Sequence, residues 1–179
     1  FKIFGDESYS KKIAKEIIKR RKEKVIKTED LVRIIDNVKK YQKSKIHNST
    51  KVFQALRILV NKEISELINA LINSFHIIPI GGIIAVVTFH SIEDKIVKFF
   101  FKNYSEQKNS SRYLPETKLS EKCFKLINTK PILPSESEIK QNPPSRSAKL
   151  RYGIKINDKC DFTNLKEKFK NLTDTENLR

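Results

Sequence analysis

The segment AVVTFHSIEDKIVKFFF, residues 85–101, contains the change of pattern that decides the fold. It starts inside an apolar run, residues 83–89, that is rich in β-branched side chains and typical of a strand covered on both faces in a parallel sheet. A helical repeat follows at once, with apolar residues at Ile92, Ile96, Val97, Phe99 and Phe100. The sequence therefore predicts a buried strand that passes directly into a helix, which is the basic unit of an α/β sheet.

Upstream of this strand the sequence predicts helices. Residues 6–23 carry an apolar stripe at helical spacing, surrounded by lysine and arginine. Thr28 suits the N-cap of a second helix, because acidic residues follow it in the first turn, where the helix dipole favours negative charge. A longer helix is predicted over residues 52–75 and ends where a proline and paired glycines occur, at residues 79–82.

Downstream of the strand the pattern is looser. Residues 104–122 form a predicted polar loop, and residues 123–129 form a predicted strand. Apolar and polar residues alternate over 150–156, which predicts a strand with one face more exposed to water. The remaining residues, 157–179, are polar and are predicted to be a mobile tail with at most a short helix near 162–171.

The composition is that of a basic protein of a reducing compartment. The chain has 37 Lys and Arg against 21 Asp and Glu, a formal charge of +16 that favours a polyanion such as nucleic acid, although a biased genome explains the excess equally well. No apolar run approaches the ~20 residues of a membrane span, so no membrane partner is expected. Cys123 and Cys160 lie far apart and outside C-x-x-C spacing, which predicts neither a metal site nor a disulfide and fits the cytoplasm.

Several kinds of catalytic site are not indicated. The histidines His47, His76 and His90 have no pair at i+3 or i+4 spacing, so no metal site is predicted. Neither a G-x-S-x-G nucleophile motif nor a glycine-rich phosphate loop occurs. The chain also contains no methionine, even at its first position, and we therefore expect it to be a segment of a longer protein.

The turn from strand to helix carries the first cluster of candidate functional residues. Ser91 and Asp94 have the Ser-x-x-Asp spacing of a helix cap, and Glu93 and Asp94 occupy the helix start, where the dipole stabilises anions. Capping does not account for Phe89 and His90, which would project from the carboxyl end of a parallel strand, where ligands of open α/β sheets bind. A single histidine is more often structural than functional, so both interpretations of His90 stand at this point.

The segment NPPSRSAKLR, residues 142–151, is the second cluster. Its two prolines favour an extended entry, and its hydroxyl, amide and cationic side chains suit contacts to phosphate and sugar. The alternative interpretation is a solvated turn before an edge strand. The candidate RNA-binding residues are Asn142, Ser145, Arg146, Ser147, Lys149 and Arg151.

These clusters and a third phrase together resemble one family. The RsmH/MraW family of ribosomal RNA cytosine-N4 methyltransferases has, in the same order, close counterparts of KIHNSTKVFQALRILVNKEI (45–64), GGIIAVVTFHSIEDKIVKFF (81–100) and NPPSRSAKLR (142–151). The resemblance runs from about residue 4 to residue 156 and is carried by three unusual phrases. Two departures occur: the family's His-Pro-Ala-Thr-Arg reads His-Asn-Ser-Thr-Lys at 47–51, and Pro144 replaces an arginine in the family's Asn-Pro-Arg-Ser-Arg-Ser.

The resemblance implies an α/β fold, namely the C-terminal half of a Rossmann-like class I methyltransferase domain with part of a helical insert domain. Residues 1–48 would be the latter part of the insert, residues 49–156 the half-domain, and residues 157–179 the tail. The implied reaction is transfer of a methyl group from S-adenosyl-L-methionine to the N4 amine of a cytidine in the decoding region of 16S rRNA, in the small ribosomal subunit. The family's glycine-rich cofactor loop is not in this sequence, so no cofactor-binding residue is predicted and the chain alone is expected to be inactive.

The resemblance also implies roles for the two clusters. Phe89, His90 and Ser91 are the candidate catalytic residues, with Phe89 stacking on the base and His90 bonding its edge or accepting a proton. The polar residues of 142–151 would bind the rRNA. The alternative function is a non-catalytic basic module for RNA binding or ribosome assembly, built on the same half-sheet.

Overall fold

The computed structural model describes residues 1–23, 25–40, 46–105 and 122–178. These residues form a mixed structure of eight α-helices and a three-stranded sheet. They divide into two compact units, Phe1–Glu63 and Ile64–Arg179, so the boundary comes later than the one predicted after residue 48. Most of the predicted polar loop 104–122 lies outside the described residues. Among the described helices, none combines the length and the apolar character that a membrane crossing requires.

The first unit contains the helices α1 Lys2–Gly5, α2 Ser10–Arg20, α3 Thr28–Val38 and α4 Thr50–Asn61. Its core centres on Ile13, Ile35 and Val52, one from each of the three longer helices. The predicted second helix is present, but its N-cap residue is Lys27, whose N–H donates to Asp30 Oδ2 at 3.2 Å. Thr28 is therefore the first helical residue and not the cap.

The long helix predicted over residues 52–75 is in fact two helices. α4 ends at Asn61, and α5, Glu63–Ile77, begins beyond Lys62, whose left-handed backbone (φ 51°) ends α4. The apolar repeat runs across this break, and neither glycine nor proline marks it. Periodicity alone therefore predicts one continuous helix.

A buried ion pair joins distant parts of the first unit. Glu7 and Lys39 are 1% and 5% exposed, and Lys39 Nζ lies 2.9 Å from Glu7 Oε2. Lys39 also donates to the carbonyl of Asn48, and Glu7 accepts from the N–H of Tyr9. Burial opposes ionisation of Glu7, but the hydrogen bond and charge of Lys39 outweigh it and hold the pKa of Glu7 below its ordinary value. Each charge is thus paired and hydrogen-bonded, as a buried ion requires.

The second unit contains most of α5 and a small sheet with its connections. Its further elements are β1 Ile83–Thr88, α6 Ser91–Asn103, β2 Phe124–Lys125, α7 Glu136–Gln141, a 3-10 helix Pro143–Ser147, β3 Lys149–Lys155 and α8 Thr163–Glu176. The strand order is β1–β3–β2, and both ladders are antiparallel. The predicted strand at 150–156 is present, whereas the one predicted at 123–129 is reduced to β2.

β1 differs from the sequence prediction in its surroundings. It pairs antiparallel with β3, and no parallel ladder joins it within the part of the chain that the structure describes. Its two faces are unequal, since Ile84 and Thr88 are buried while Ile83 and Val87 are 59% and 52% exposed. The apolar run does not reveal this because apolar side chains occur on both faces. The Rossmann-like class I assignment stays a prediction.

Aromatic side chains form the centre of the second unit. Phe75 of α5, Phe100 of α6 and Phe124 of β2 are fully buried. Phe162 packs against them, with its ring centroid 5.1 Å from that of Phe75 and 5.6 Å from that of Phe100. Gly153 of β3 allows α6 to lie close to the sheet, because a Cβ at that position would come within 2.9 Å of the Phe101 ring.

The C-terminal residues form a packed helix where the sequence predicts a tail with at most a short helix. α8 buries Leu165 completely and Glu176 to 4% exposure. The Glu176 carboxylate accepts hydrogen bonds from the N–H groups of Ile64 and Ser65, at 2.8 and 2.9 Å. It therefore caps the start of α5, where the helix dipole favours a negative charge. The prediction fails because few residues of α8 are apolar and its partners are far away in sequence.

Cys123 and Cys160 form a disulfide bond, so the prediction that they do not is wrong. Cys123 is fully buried immediately before β2, and Cys160 is half-buried shortly before α8. The two residues are 37 positions apart. Sequence spacing gives no signal for such a pair, because antiparallel pairing and the packing of Phe162 bring the two segments together.

Candidate functional site

The two clusters predicted from the sequence meet at one end of the sheet. Thr88, the last residue of β1, pairs with Lys149, the first residue of β3. Residues 89–91 therefore leave the sheet where residues 142–148 enter it. Thr88 is 1% exposed, and its hydroxyl donates to the carbonyl of Lys149 at 3.3 Å, which fastens the two strands at this point.

His90 is the N-cap residue of α6. Its Nδ1 accepts a hydrogen bond from the N–H of Glu93 at 3.4 Å. In return, Glu93 Oε2 accepts from the N–H groups of His90 and Phe89, at 3.2 and 2.8 Å. The sequence predicts this cap at Ser91, which is wrong, since Ser91 is the exposed first residue of the helix. Capping thus accounts for the position of His90 after all.

The second ring nitrogen of His90 is not used by the cap. Because Nδ1 accepts a hydrogen bond, the neutral ring carries its proton on Nε2. Nε2 lies 3.2 Å from Glu93 Oε1, outside hydrogen-bond geometry, and has no hydrogen-bond partner among the described residues. The side chain is 9% exposed. The cap therefore fixes the tautomer, and Nε2 is a buried N–H group beside the Glu93 carboxylate.

Glu93 is an anion that holds the turn together. Burial opposes its ionisation, but the hydrogen bonds it accepts from His90 and from the Phe89 N–H, together with the nearby His90 ring, lower the pKa of Glu93 from its ordinary value. An ionised carboxylate that accepts from two backbone N–H groups is well suited to fix the path of residues 89–90. The interpretation of Glu93 as a helix-start residue agrees with this geometry.

Asp94 holds the start of α6 to β3. Its carboxylate receives Lys149 Nζ at 3.0 Å and Arg151 Nε at 2.8 Å. Burial opposes ionisation, but the hydrogen bonds and charges of Arg151 and Lys149 keep the pKa of Asp94 below its ordinary value. Sequence reasoning missed this contact. The available signal was the spacing of the two cations, which lie on one face of β3.

The six candidate RNA-binding residues differ in what their side chains contact. Lys149 and Arg151 are engaged by Asp94, and Arg151 is only 10% exposed. Ser145 is 4% exposed, and its hydroxyl has no hydrogen-bond partner among the described residues. The remaining three, which are exposed, are Asn142, Arg146 and Ser147.

Phe89 and Ser91 flank the histidine and face solvent. Phe89 is 55% exposed, an unusual position for a large aromatic ring. Ser91 is also exposed. This end of the sheet therefore presents an open aromatic surface and a hydroxyl group on either side of His90, whose Nε2 is buried.

The described residues do not form a cradle for S-adenosylmethionine, the cofactor that the resemblance implies. A ribose is commonly held by a carboxylate, and a glycine turn allows close approach of the backbone. Glu93 is occupied by the turn and Asp94 by Lys149 and Arg151. Gly81 and Gly82 precede β1 at its other end, and Gly153 lies within β3 opposite Ile84. No cofactor-binding residue is therefore assigned in this part of the chain.

Comparison with known proteins confirms the resemblance. The sequence model of the MraW methylase family matches residues 1–156. The Ribosomal RNA small subunit methyltransferase H of Bartonella henselae is 41% identical over 168 residues, which cover 93% of this chain and 49% of that protein. Proteins of the same name from Bartonella grahamii and Sinorhizobium fredii are 45% and 43% identical, over 87% of this chain and 47% and 46% of theirs. The chain spans about half the length of the curated relatives it matches.

The matched region includes every candidate site residue. It covers the first unit, the sheet, the His90 turn and the segment that contains Arg146. It ends before α8, although the Bartonella henselae protein aligns over more of the chain than the family model does. The chain belongs to the MraW methylase family.

Proposed function

We propose that the chain is part of an S-adenosyl-L-methionine-dependent methyltransferase that modifies the N4 amine of a cytidine in the decoding region of 16S rRNA. Family membership supports this, and so does the name Ribosomal RNA small subunit methyltransferase H of its relatives. The formal charge of +16 suits an RNA substrate. In this proposal the partner is the small ribosomal subunit, the compartment is the cytoplasm, and the second unit belongs to a Rossmann-like class I domain.

One observation carries the proposal, namely that the two clusters meet where β1 ends and β3 begins. Base recognition in RNA relies on stacking and on hydrogen bonds to base edges, while phosphate contacts fix the position of the strand. Phe89 offers an exposed ring and Arg146 offers an exposed guanidinium, while the Nε2 of His90 is buried at the turn between β1 and α6. A nucleotide at this end of the sheet would therefore meet a stacking surface and a phosphate contact beside the His90 turn.

The chemistry depends mainly on alignment. The N4 amine of cytosine is a poor nucleophile because its lone pair is delocalised into the ring, and S-adenosylmethionine supplies the methyl group when it is bound. Phe89 would stack on the base and Ser91 would lie beside it. His90 Nε2 carries the hydrogen when Nδ1 caps α6, but the atom is buried, so it would donate to an acceptor on the base edge only after the ring turns outward. Edge bonding is therefore favoured over proton acceptance for His90.

The RNA-binding residues divide into direct and indirect groups in this proposal. Asn142, Arg146 and Ser147 are exposed and would contact the RNA. Lys149 and Arg151 act through Asp94, since their ion pairs orient the segment that carries Arg146. Ser145 is buried, so its side chain would support that segment from inside and not contact the RNA. The first unit offers a further cationic surface, formed by the exposed α2 residues Lys11, Lys12, Lys15 and Lys19.

Replacing Arg146 by glutamate is expected to weaken RNA binding for all sequences alike, because a phosphate contact does not read bases. Loss of one such contact should also reduce the log–log slope of affinity against salt by about 0.7–0.9. Filter binding or gel shift at several salt concentrations measures both quantities. Lys168→Glu, an equal charge change at an exposed position of α8, is the matched control. If the two variants weaken RNA binding equally, residues 142–147 are a solvated turn and not an RNA-binding segment.

The chain as given is expected not to bind S-adenosylmethionine measurably and not to methylate RNA. The reason is that the carboxylates near the site are engaged and that no glycine turn lies beside it in the part of the chain that the structure describes. Calorimetric titration of the chain with the cofactor, beside a gel shift with small-subunit rRNA, measures the two binding events separately. Saturable micromolar binding of the cofactor would show that this chain contains a cofactor site, contrary to the prediction.

The alternative function is a non-catalytic module for RNA binding or ribosome assembly. The lack of a cofactor cradle among the described residues is the observation that favours it. A methylation assay of the full-length protein distinguishes the two functions. Incorporation of labelled methyl groups into rRNA supports the enzyme, and RNA binding without incorporation supports the module.

A further inference from the structure

We propose that Cys123 and Cys160 form a reversible redox modification site that fastens α8 to the sheet of the second unit. The bond joins the residue before β2 to the segment that leads into α8. This site is separate from the His90 turn, and nothing in the proposed methyl transfer requires it. It adds regulation to the molecule and not another step of that reaction.

The bond reinforces the point at which the chain leaves the sheet. The carbonyl of Cys123 accepts the Ile156 N–H at 2.9 Å, just beyond the end of β3. Cys160 then precedes Phe162, whose ring lies 4.9 Å from that of Tyr104 at the edge of the aromatic core. Beyond this point α8 is held by non-covalent contacts, chiefly those of Leu165 and Glu176. Breaking the bond therefore leaves α8 attached only by its packing and its cap on α5.

Exposure decides which sulfur reacts first. Cys123 is fully buried, whereas Cys160 is half-buried. In the oxidation step the Cys160 thiolate attacks a disulfide oxidant such as oxidised glutathione, which forms a mixed disulfide and releases one glutathione thiolate. The Cys123 thiolate then attacks the Cys160 sulfur and releases the second glutathione. The two cysteines lose two electrons and two protons, and the oxidant becomes two thiols.

The Cys123–Cys160 bond is expected to be reversible because the proposed compartment is the cytoplasm. Disulfides of cytoplasmic proteins are usually transient or redox-sensing, because small thiols keep cysteines reduced. The cytoplasmic location rests on the proposed rRNA function, whereas the bond itself rests on the position of the two sulfurs. A thiol reductant would approach Cys160, the more exposed of the two residues, and reverse the same two steps.

The test uses the full-length protein treated with oxidised glutathione or with dithiothreitol. After free thiols are alkylated, mass spectrometry of a protease digest should show one peptide pair linked through Cys123 and Cys160 in the oxidised sample only. Oxidation should raise the urea midpoint of the second unit by about 1–2 M. It should also slow protease cleavage within residues 157–178.

The variant Cys160→Ser is the control, since it cannot form the bond and its position is half-buried. It should match the reduced wild-type protein under both treatments. Absence of the linked peptide after oxidation would overturn the proposal. A linked peptide without a change in urea midpoint and cleavage would also overturn it, because the bond would not fasten α8. Neither readout depends on methyl transfer, so failure here is distinct from failure of the proposed function.

Discussion

Replacing His90 by asparagine in the full-length protein is expected to leave the fold intact and to lower rRNA methylation by about 10²-fold or more. Asparagine is among the preferred N-cap residues, so its side-chain oxygen can take over the hydrogen bond from the Glu93 N–H. It cannot reproduce the imidazole, whose Nε2 is the proposed donor to the base edge. The substitution thus removes the proposed catalytic group and keeps the structural one.

The companion variant His90→Ala removes both functions of the side chain. Loss of the cap should lower the free energy of unfolding by about 0.5–2 kcal/mol, and methylation should fall at least as far as in His90→Asn. Circular dichroism during urea unfolding measures the first effect, and incorporation of labelled methyl groups into small-subunit rRNA measures the second. Wild-type activity in His90→Asn would show that His90 is only the cap of α6 and that the proposed role on the base is wrong.

Local patterns predict the parts of the site whose evidence lies within a few residues. The apolar run and the helical repeat predict β1 and α6, and the alternation at 150–156 predicts β3. Phe89 and His90 are identified because their residue types are unusual at a strand end. The cap is misassigned for the same local reason: serine is a common N-cap residue and histidine is not, so the sequence predicts Ser91.

Contacts between residues that are far apart in sequence determine the features that local patterns do not predict. Asp94 lies 55 and 57 positions from Lys149 and Arg151, and Glu176 lies 112 positions from Ile64. The Glu176 contact leaves no periodic signal, and the Asp94 contact leaves only the i, i+2 spacing of its two cations in β3. Asp94 pairs with Lys149 and Arg151, which stay predicted RNA-binding residues, and Glu176 belongs to a packed helix where a tail is predicted. An apolar run likewise does not indicate whether its strand pairs in a parallel or an antiparallel direction.

Lys155 is the buried residue whose loss should cost the second unit most stability. Its side chain is 3% exposed, and Nζ lies 2.7 Å from Asp158 Oδ1. The same group donates to the carbonyls of Phe75 and Ile78 at 2.8 Å each, and it lies 4.4 Å from the centre of the Phe75 ring. These carbonyls belong to the end of α5, where the helix dipole favours a cation. Lys155 therefore caps α5 at one end, as Glu176 does at the other.

Replacing Lys155 by methionine should lower the free energy of unfolding by about 3–5 kcal/mol. Methionine keeps most of the volume but cannot donate hydrogen bonds, so the Phe75 and Ile78 carbonyls lose a charged donor beneath the sheet. Asp158 is 65% exposed and returns to water at little cost, so most of the loss comes from the end of α5. Urea unfolding of the full-length protein, followed by circular dichroism, measures the change.

Lys125→Met is the matched control for this substitution. Lys125 lies in β2, on the strand that pairs with β3, and its side chain is exposed. Because it loses no buried contact, its effect should stay within about 0.5 kcal/mol. Equal destabilisation by the two variants would mean that the carbonyls at the end of α5 find other partners once Lys155 is gone. A large effect confined to Lys155→Met would show that one buried lysine holds the end of α5 to the sheet that carries the His90 turn.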